Sequence, residues 1–332
     1  MTSTVQGRSV LVTGADGFIG SHLVERLVRD GALVTAFCCY NSRSSYGWLD
    51  ELAPDVAAEI RFVLGDVRDA ASVDLATAGQ EIVLHLAALI AIPYSYEAPS
   101  SYIETNVTGT ANVLAAAQRH GVGRIVNTST SEVYGTPAML PITEGHPLQA
   151  QSPYAATKIA ADKLCEAWAA SFGTPVVVLR PFNTFGPRQS LRAVIPTIIA
   201  QLLAGATEVR LGSLAPKRDF TYVEDTVDGF VRAATAELEP ATLIQLGTGV
   251  AFSVGEIVAA AAAEVGVEAR AVVDEERVRP EASEVDVLQS DPSRAATLLG
   301  WSPSMSFQEG LREVVGWMES RVDPSRAGQY HR

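Results

Sequence analysis

Seven short apolar runs, at residues 10–12, 33–37, 60–64, 82–86, 125–128, 175–179 and 243–246, are separated for the most part by amphipathic or alanine-rich stretches of helical length. Strand candidates that are apolar throughout, rather than alternating, need cover on both faces, and intervening helices supply it. This pattern predicts an α/β chain built on a parallel sheet. After Pro181 the rhythm changes, and proline and glycine gather around Phe185, Gly186, Pro187 and Arg188 and again around Leu214, Ala215 and Pro216. A smaller, mixed α/β domain is expected to begin there. The reading places residues 1–182 in the main domain, rejoined by about 219–248, and residues 183–218 and 249–325 in the smaller one.

Composition excludes several roles. With 332 residues, 47% of them hydrophobic, the chain can bury a substantial core. Its formal charge of −13 repels phosphate backbones and anionic lipid heads, so neither nucleic acid nor a membrane is an expected partner. No basic segment followed by an apolar run opens the sequence, and no stretch approaches the roughly 18 apolar residues of a membrane span. A cytoplasmic enzyme is expected. The three cysteines, Cys38, Cys39 and Cys165, lack metal-ligand spacing and read as buried thiols; no metal site is expected.

The first motif with chemistry is VTGADGFIG. Gly14, Gly17 and Gly20 follow the first strand and open a helix, the context in which glycines let the backbone approach a pyrophosphate at a helix N-terminus. The expected contacts from this turn are Gly14, Asp16, Gly17, Phe18, Ile19 and Gly20. Together with the parallel strands, the motif makes the main domain a doubly wound Rossmann sheet. An acid at the end of the second strand ordinarily holds the ribose 2′-hydroxyl of NAD. Here the segment reads Phe37-Cys38-Cys39-Tyr40-Asn41-Ser42-Arg43, with no acid, so Asn41, Ser42 and Arg43 become the local candidates and NADP is not excluded. Asp66 and Val67 after the third strand, and Leu86, Ala87 and Ala88 after the fourth, are placed to line the same cofactor.

The second motif is YAATK. Tyr154 and Lys158 are four residues apart and share one face of a helix. A phenol has an unperturbed pKa of about 10, too high for a good base at neutral pH, and a neighbouring ammonium lowers it. Upstream, STSEVYG places Thr130, Ser131 and Glu132 in succession where an apolar strand ends at Thr128.

These motifs carry a family resemblance. The glycine turn, His85-Leu86-Ala87-Ala88, Asn106 in NVTGT, Thr130, Tyr154 with Lys158, RPFNTFGPRQ from Arg180, RDFTYVED from Arg218 and DPSRAATLLGWSP from Asp291 together resemble the extended short-chain dehydrogenase/reductases that modify nucleotide sugars. The resemblance runs from about Arg8 to Glu319. It implies NAD as a self-recycled cofactor contacted also by Asn106, Thr128, Tyr154 and Lys158. It further implies a sugar nucleotide held by Thr130, Asn183, Arg188, Val194, Ile195, Arg218, Arg279 and Glu281. Arg218 could instead be a structural residue paired with its neighbour Asp219.

Within that family the resemblance assigns Tyr154 the proton of the sugar 4-hydroxyl and Thr130 a hydrogen bond to it. A ketone at C4 acidifies C5, so Glu132 implies a 4,6-dehydratase, a lyase, in which that carboxylate removes the C5 proton. Ser131 stands where dTDP-glucose dehydratases have an aspartic acid. The stretches YNSRSSYGWLD and RPEASEVDVLQSD resemble legionaminic acid pathway 4,6-dehydratases acting on UDP- or GDP-linked N-acetylglucosamine. UDP-glucuronate decarboxylases and 4-epimerases are the alternatives, and a catalytically silent dinucleotide sensor a distant one. The resemblance also implies a homodimer in which the helix at 102–119 and the helix from Tyr154 form a four-helix interface.

Overall fold

The computed structural model describes residues 4–323 and residue 327; residues 1–3 of the expected main domain and 324–325 of the expected smaller one lie outside the described residues. All seven anticipated strands are present: β1 (Ser9–Thr13), β2 (Leu33–Cys39), β3 (Ile60–Gly65), β4 (Ile82–His85), β5 (Arg124–Thr128), β6 (Val176–Pro181) and β7 (Leu243–Leu246). They form one parallel sheet in the order β7-β6-β5-β4-β1-β2-β3. The winding direction reverses between β1 and β4. Such a switch point opens a crevice at the carboxyl ends of the strands.

The continuous apolar character of the strands has a direct cause. Val10 and Val12 pack into the core on one face, with Leu84, Val126 and the buried side of the helices Phe18–Arg29 and Val223–Thr235. Leu11, between them, points the other way, into a second core with Val83, Ile125, Val113, Leu114 and Cys165. Successive residues of a strand face opposite sides, so a sheet covered twice needs apolar residues at every position.

The smaller domain is built around the strand Lys217–Tyr222. It pairs in parallel with Asn183–Phe185 and Val287–Leu288 and antiparallel with Ala251–Ser253. A second ribbon joins Glu208–Leu211 to Arg270–Val273. Residue 219 lies inside the central strand of this sheet, and the helix Val223–Thr235 follows it directly. Phe185, Phe220, Phe252 and Phe307 cluster here, Phe252 stacked on Phe307 and Phe185 edge-on to Phe220.

Two other expectations are modified. The segment 102–119 is not uniformly α-helical: a π-helical stretch, Ile103–Thr108, joins Pro99–Tyr102 to Gly109–Arg119. Cys39 is exposed at the end of β2, whereas Cys38 and Cys165 are buried; all three are free thiols. Among the described residues no helix is long and apolar enough to cross a membrane.

Candidate active site

A cleft of about 990 Å³ opens where the carboxyl ends of β1, β4 and β5 meet the small domain. One wall is the glycine turn. Gly14 has φ 69°, and a Cβ there would stand 2.7 Å from the backbone nitrogen of Ala87; a Cβ on Gly20 would lie 2.1 Å from the Gly14 carbonyl. Only hydrogen fits at either place. The helix Phe18–Arg29 starts from Gly17, which offers no capping side chain, so its first N–H groups have no side-chain partner and the turn lines the cleft. Backbone this close, with open helix N–H groups, suits a dinucleotide pyrophosphate.

Thr13 fixes the loop opposite. Its Oγ1 accepts the N–H groups of Leu86 and Ala87, each at 3.2 Å, and lies 2.7 Å from His85 Nδ1. His85 Nε2 is 3.2 Å from Thr110 Oγ1. Burial, helped by the charge of Lys158, lowers the His85 pKa to about 3, so the ring is neutral. Asn106 is fully buried behind this loop. It receives the Leu89 N–H at 2.9 Å, donates to the Leu89 carbonyl at 2.9 Å and donates to Thr157 Oγ1 at 3.0 Å. It therefore ties the loop to the helix carrying Tyr154 and does not reach the cleft surface.

The catalytic strip lies at the end of β5. Ser152 caps the helix Pro153–Phe172 through the Ala155 N–H at 3.1 Å, which sets Tyr154 and Lys158 on its inward face, both nearly buried. Lys158 Nζ donates to the Thr128 carbonyl at 2.5 Å. Thr130 starts a short turn, Ser131–Tyr134, its Oγ1 accepting the Glu132 N–H at 3.2 Å. Burial pushes the Tyr154 phenol well above its ordinary pKa; a hydrogen bond with Thr130 pulls it down, and the nearby Glu132 carboxylate raises it. Lys158 is lowered by burial, against the pull of Asp162. Asp162 belongs to a buried pair with Arg180 at 2.6 Å and accepts the Ser129 hydroxyl at 2.7 Å, clamping the strip to its helix. Sequence reading missed this clamp, although Asp162 stands one turn after Lys158.

The far wall comes from the small domain. Arg218 Nη1 donates to the Val285 carbonyl at 2.7 Å, its Nε lies 3.7 Å from Glu132 and its Nη2 lies 3.5 Å from Glu284. Asp219 does not pair with Arg218. It binds Thr248, Gly249 and Ser290 instead. Arg279 Nη1 is buried without a hydrogen-bond partner, its nearest acid, Glu284, being 4.0 Å away. A buried guanidinium nitrogen left unsatisfied beside a cleft suits an anionic ligand. Glu284 was not anticipated from the sequence, because nothing local marks it among the acids of SEVD.

Of the anticipated residues, the cleft brings together Gly14, Asp16, Gly17, Phe18, Ile19, Gly20, Asp66, Val67, Leu86, Ala87, Ala88 and Thr128 on the dinucleotide side. Thr130, Ser131, Glu132, Tyr154, Lys158, Asn183, Val194, Ile195, Arg218 and Arg279 line the remainder. Asn41, Ser42, Arg43, Arg188 and Glu281 lie off its surface. Asn41 closes its own loop, bonding Cys39, Arg43 and Ser45. Arg188 pairs with Glu25 at 2.8 Å, joining the first helix to the small domain. Among the described residues no cluster of His, Cys, Asp and Glu is arranged to hold a metal ion.

Known proteins match this arrangement over nearly the whole chain. The family model for GDP-mannose 4,6 dehydratase matches residues 11–314. A UDP-glucose 4-epimerase of Mycolicibacterium smegmatis is 34% identical over 94% of this chain and 98% of its own. A dTDP-glucose 4,6-dehydratase of Streptomyces griseus is 34% identical over 93% of each. Among solved structures, a double mutant of the Streptomyces venezuelae dTDP-glucose 4,6-dehydratase with NAD bound superposes with a TM-score of 0.83 at 29% identity, covering 94% of this chain and 97% of that one.

Proposed function

Since the chain belongs to the NAD-dependent epimerase/dehydratase family of extended short-chain dehydrogenase/reductases, enzymes of nucleotide sugars, we propose that it is a nucleotide-sugar 4,6-dehydratase. The observation that carries this reading is Glu132, a carboxylate on the cleft wall two residues from Thr130 and close enough to Tyr154 to perturb it. Inversion at C4 needs only hydride transfer from C4 and back, with the 4-hydroxyl proton passing to and from Tyr154, and calls for no such acid.

The residues divide the work as follows. The glycine turn would hold NAD, and the Arg218 and Arg279 guanidinium groups would hold the substrate diphosphate, which would give the Arg279 Nη1 the hydrogen-bond partner it lacks. When bound, NAD would supply the hydride acceptor for C4 and the hydride donor for C6, and solvent would supply the proton that C5 then needs. Tyr154 takes the 4-hydroxyl proton, Thr130 orients that hydroxyl, and Lys158 stabilises the phenolate electrostatically. Without such help the buried phenol is too weak an acid to serve. Glu132 then removes the proton at C5, made acidic by the C4 ketone, and the C6 hydroxyl departs as water. The carboxyl formed on Glu132 is the acid the strip offers to that hydroxyl, since Ser131 is far weaker. Arg218, at 3.7 Å, holds the Glu132 carboxylate at the sugar end of the cleft.

N-acetylglucosamine linked to UDP or GDP is the substrate proposed. A solved relative supports an N-acetylhexosamine, the UDP-N-acetylglucosamine 4-epimerase of Methanobrevibacter ruminantium, at 28% identity and a TM-score of 0.85 over 95% of this chain and 99% of that one. The equal identity of the M. smegmatis epimerase favours one second reading, 4-epimerisation. Incubation with a panel of sugar nucleotides separates the readings by mass: loss of water marks dehydration, loss of carbon dioxide marks decarboxylation, and an unchanged mass with an inverted C4 marks epimerisation. We also propose a homodimer through the helices at 102–119 and 153–172, where Ile103 and Phe172 are exposed. A monomer by light scattering at working concentration contradicts it.

A further inference from the structure

The second strand lacks the acid that ordinarily recognises the NAD ribose, yet a carboxylate occupies its end. It belongs to Asp16 in the glycine turn, whose Oδ2 accepts the Cys39 N–H at 3.3 Å, at the last residue of β2. The segment 47–48 holds Asp16 in place. Trp48 N–H donates to its carbonyl at 3.2 Å, and Gly47, at φ 62°, packs so closely that a Cβ there would lie 2.5 Å from the same oxygen. Asp16 lines the cleft; Arg43, the cation that could have met a 2′-phosphate, does not.

We propose that Asp16 selects NAD over NADP in this chain, its carboxylate accepting the adenosine ribose 2′-hydroxyl in place of the acid missing from β2. The neighbouring charges agree. Asp66, at the adjoining strand end, is saturated by Arg68, which donates to both of its oxygens, and Arg68 has a further acid, Glu104, at 3.6 Å. A 2′-phosphate carrying nearly two negative charges would meet the Asp16 carboxylate and an arginine already committed to another. A hydroxyl would donate to Asp16 without conflict.

The experiment is equilibrium titration of cofactor-stripped protein with NAD, NADP and 2′-deoxy-NAD, read by calorimetry. It needs no sugar substrate, so its outcome is separate from that of the dehydratase reading. The native protein should bind 2′-deoxy-NAD about 10- to 100-fold more weakly than NAD, the loss expected for a hydrogen bond to a charged group. Asp16→Asn should lower the NAD-to-NADP preference about tenfold or more by removing the charge, while Arg43→Ala should leave it unchanged. Equal native affinity for NAD and 2′-deoxy-NAD overturns the proposal. So does a folded Asp16→Asn protein that keeps the native preference; if that variant does not fold, the deoxy analogue on native protein decides alone.

Discussion

The two halves of the cleft are built on different principles. The dinucleotide half is made of backbone: Gly14 against Ala87, open N–H groups at the start of a helix, and a loop pinned by Thr13 and Asn106. Its walls are defined by hydrogen bonds and close backbone contacts within the chain. The sugar half is made of opposed charges from distant segments, Glu132 from the main domain and Arg218, Arg279 and Glu284 from the small one. There Arg218 lies near two acids, at 3.7 and 3.5 Å, while Arg279 Nη1 has no hydrogen-bond partner. The difference separates two kinds of recognition: close backbone approach in the dinucleotide half, and charged side chains brought together from separate segments in the sugar half.

That contrast yields graded consequences. Tyr154→Phe removes one oxygen from the strip between the halves, so both ligands should bind while turnover falls by about 10² to 10⁴ or more, the usual cost of losing a general base. Steady-state rates with substrate affinity measured in parallel check this, and near-native turnover would assign the 4-hydroxyl proton to another group. Arg279→Ala should weaken UDP binding about 10- to 100-fold, as expected for a charge-assisted contact, with NAD affinity unchanged. Titration with UDP and NAD separately tests it; a parallel loss of both would mean the halves are not independent.

A consequence outside the two halves concerns pH. In the unfolded chain a histidine gains its proton near pH 6.5, while folded His85 does so only near 3. The unfolded state therefore binds more protons in that interval, and stability present above about pH 6.5 is lost as pH falls toward 3. The melting temperature should decline through this window, and His85→Asn should flatten part of the decline. An unchanged slope in the variant would remove His85 from the account.

Legibility from sequence follows the same division. All seven sheet strands could be read, because a doubly covered strand must be apolar at every position and says so locally. Tyr154 and Lys158 were readable because helix geometry fixes their relation within one turn. Glu284 and the clamp of Asp162 with Arg180 were not, since these contacts join segments whose approach only the folded sheet determines. Asp219 shows the hazard of reading neighbours as partners: strand alternation points it away from Arg218, into the turn at 248–249 and Ser290. Arg188 carried a motif-level expectation of substrate contact; in the fold its guanidinium pairs with Glu25 and it does not line the cleft.

The central claim is that Glu132 removes the proton at C5, and Glu132→Gln tests it most directly. The amide keeps the shape of the side chain but accepts no proton. In deuterated water, native protein should release a product lighter by one water with solvent deuterium at C5. The variant should still oxidise C4, so that at most one equivalent of 4-keto sugar nucleotide forms per bound cofactor, matched by an equal amount of reduced cofactor, at unchanged C5 isotope content and without loss of water. Continued loss of water with deuterium entering C5 in Glu132→Gln, at a rate close to native, would contradict the account and assign the C5 proton to a different base.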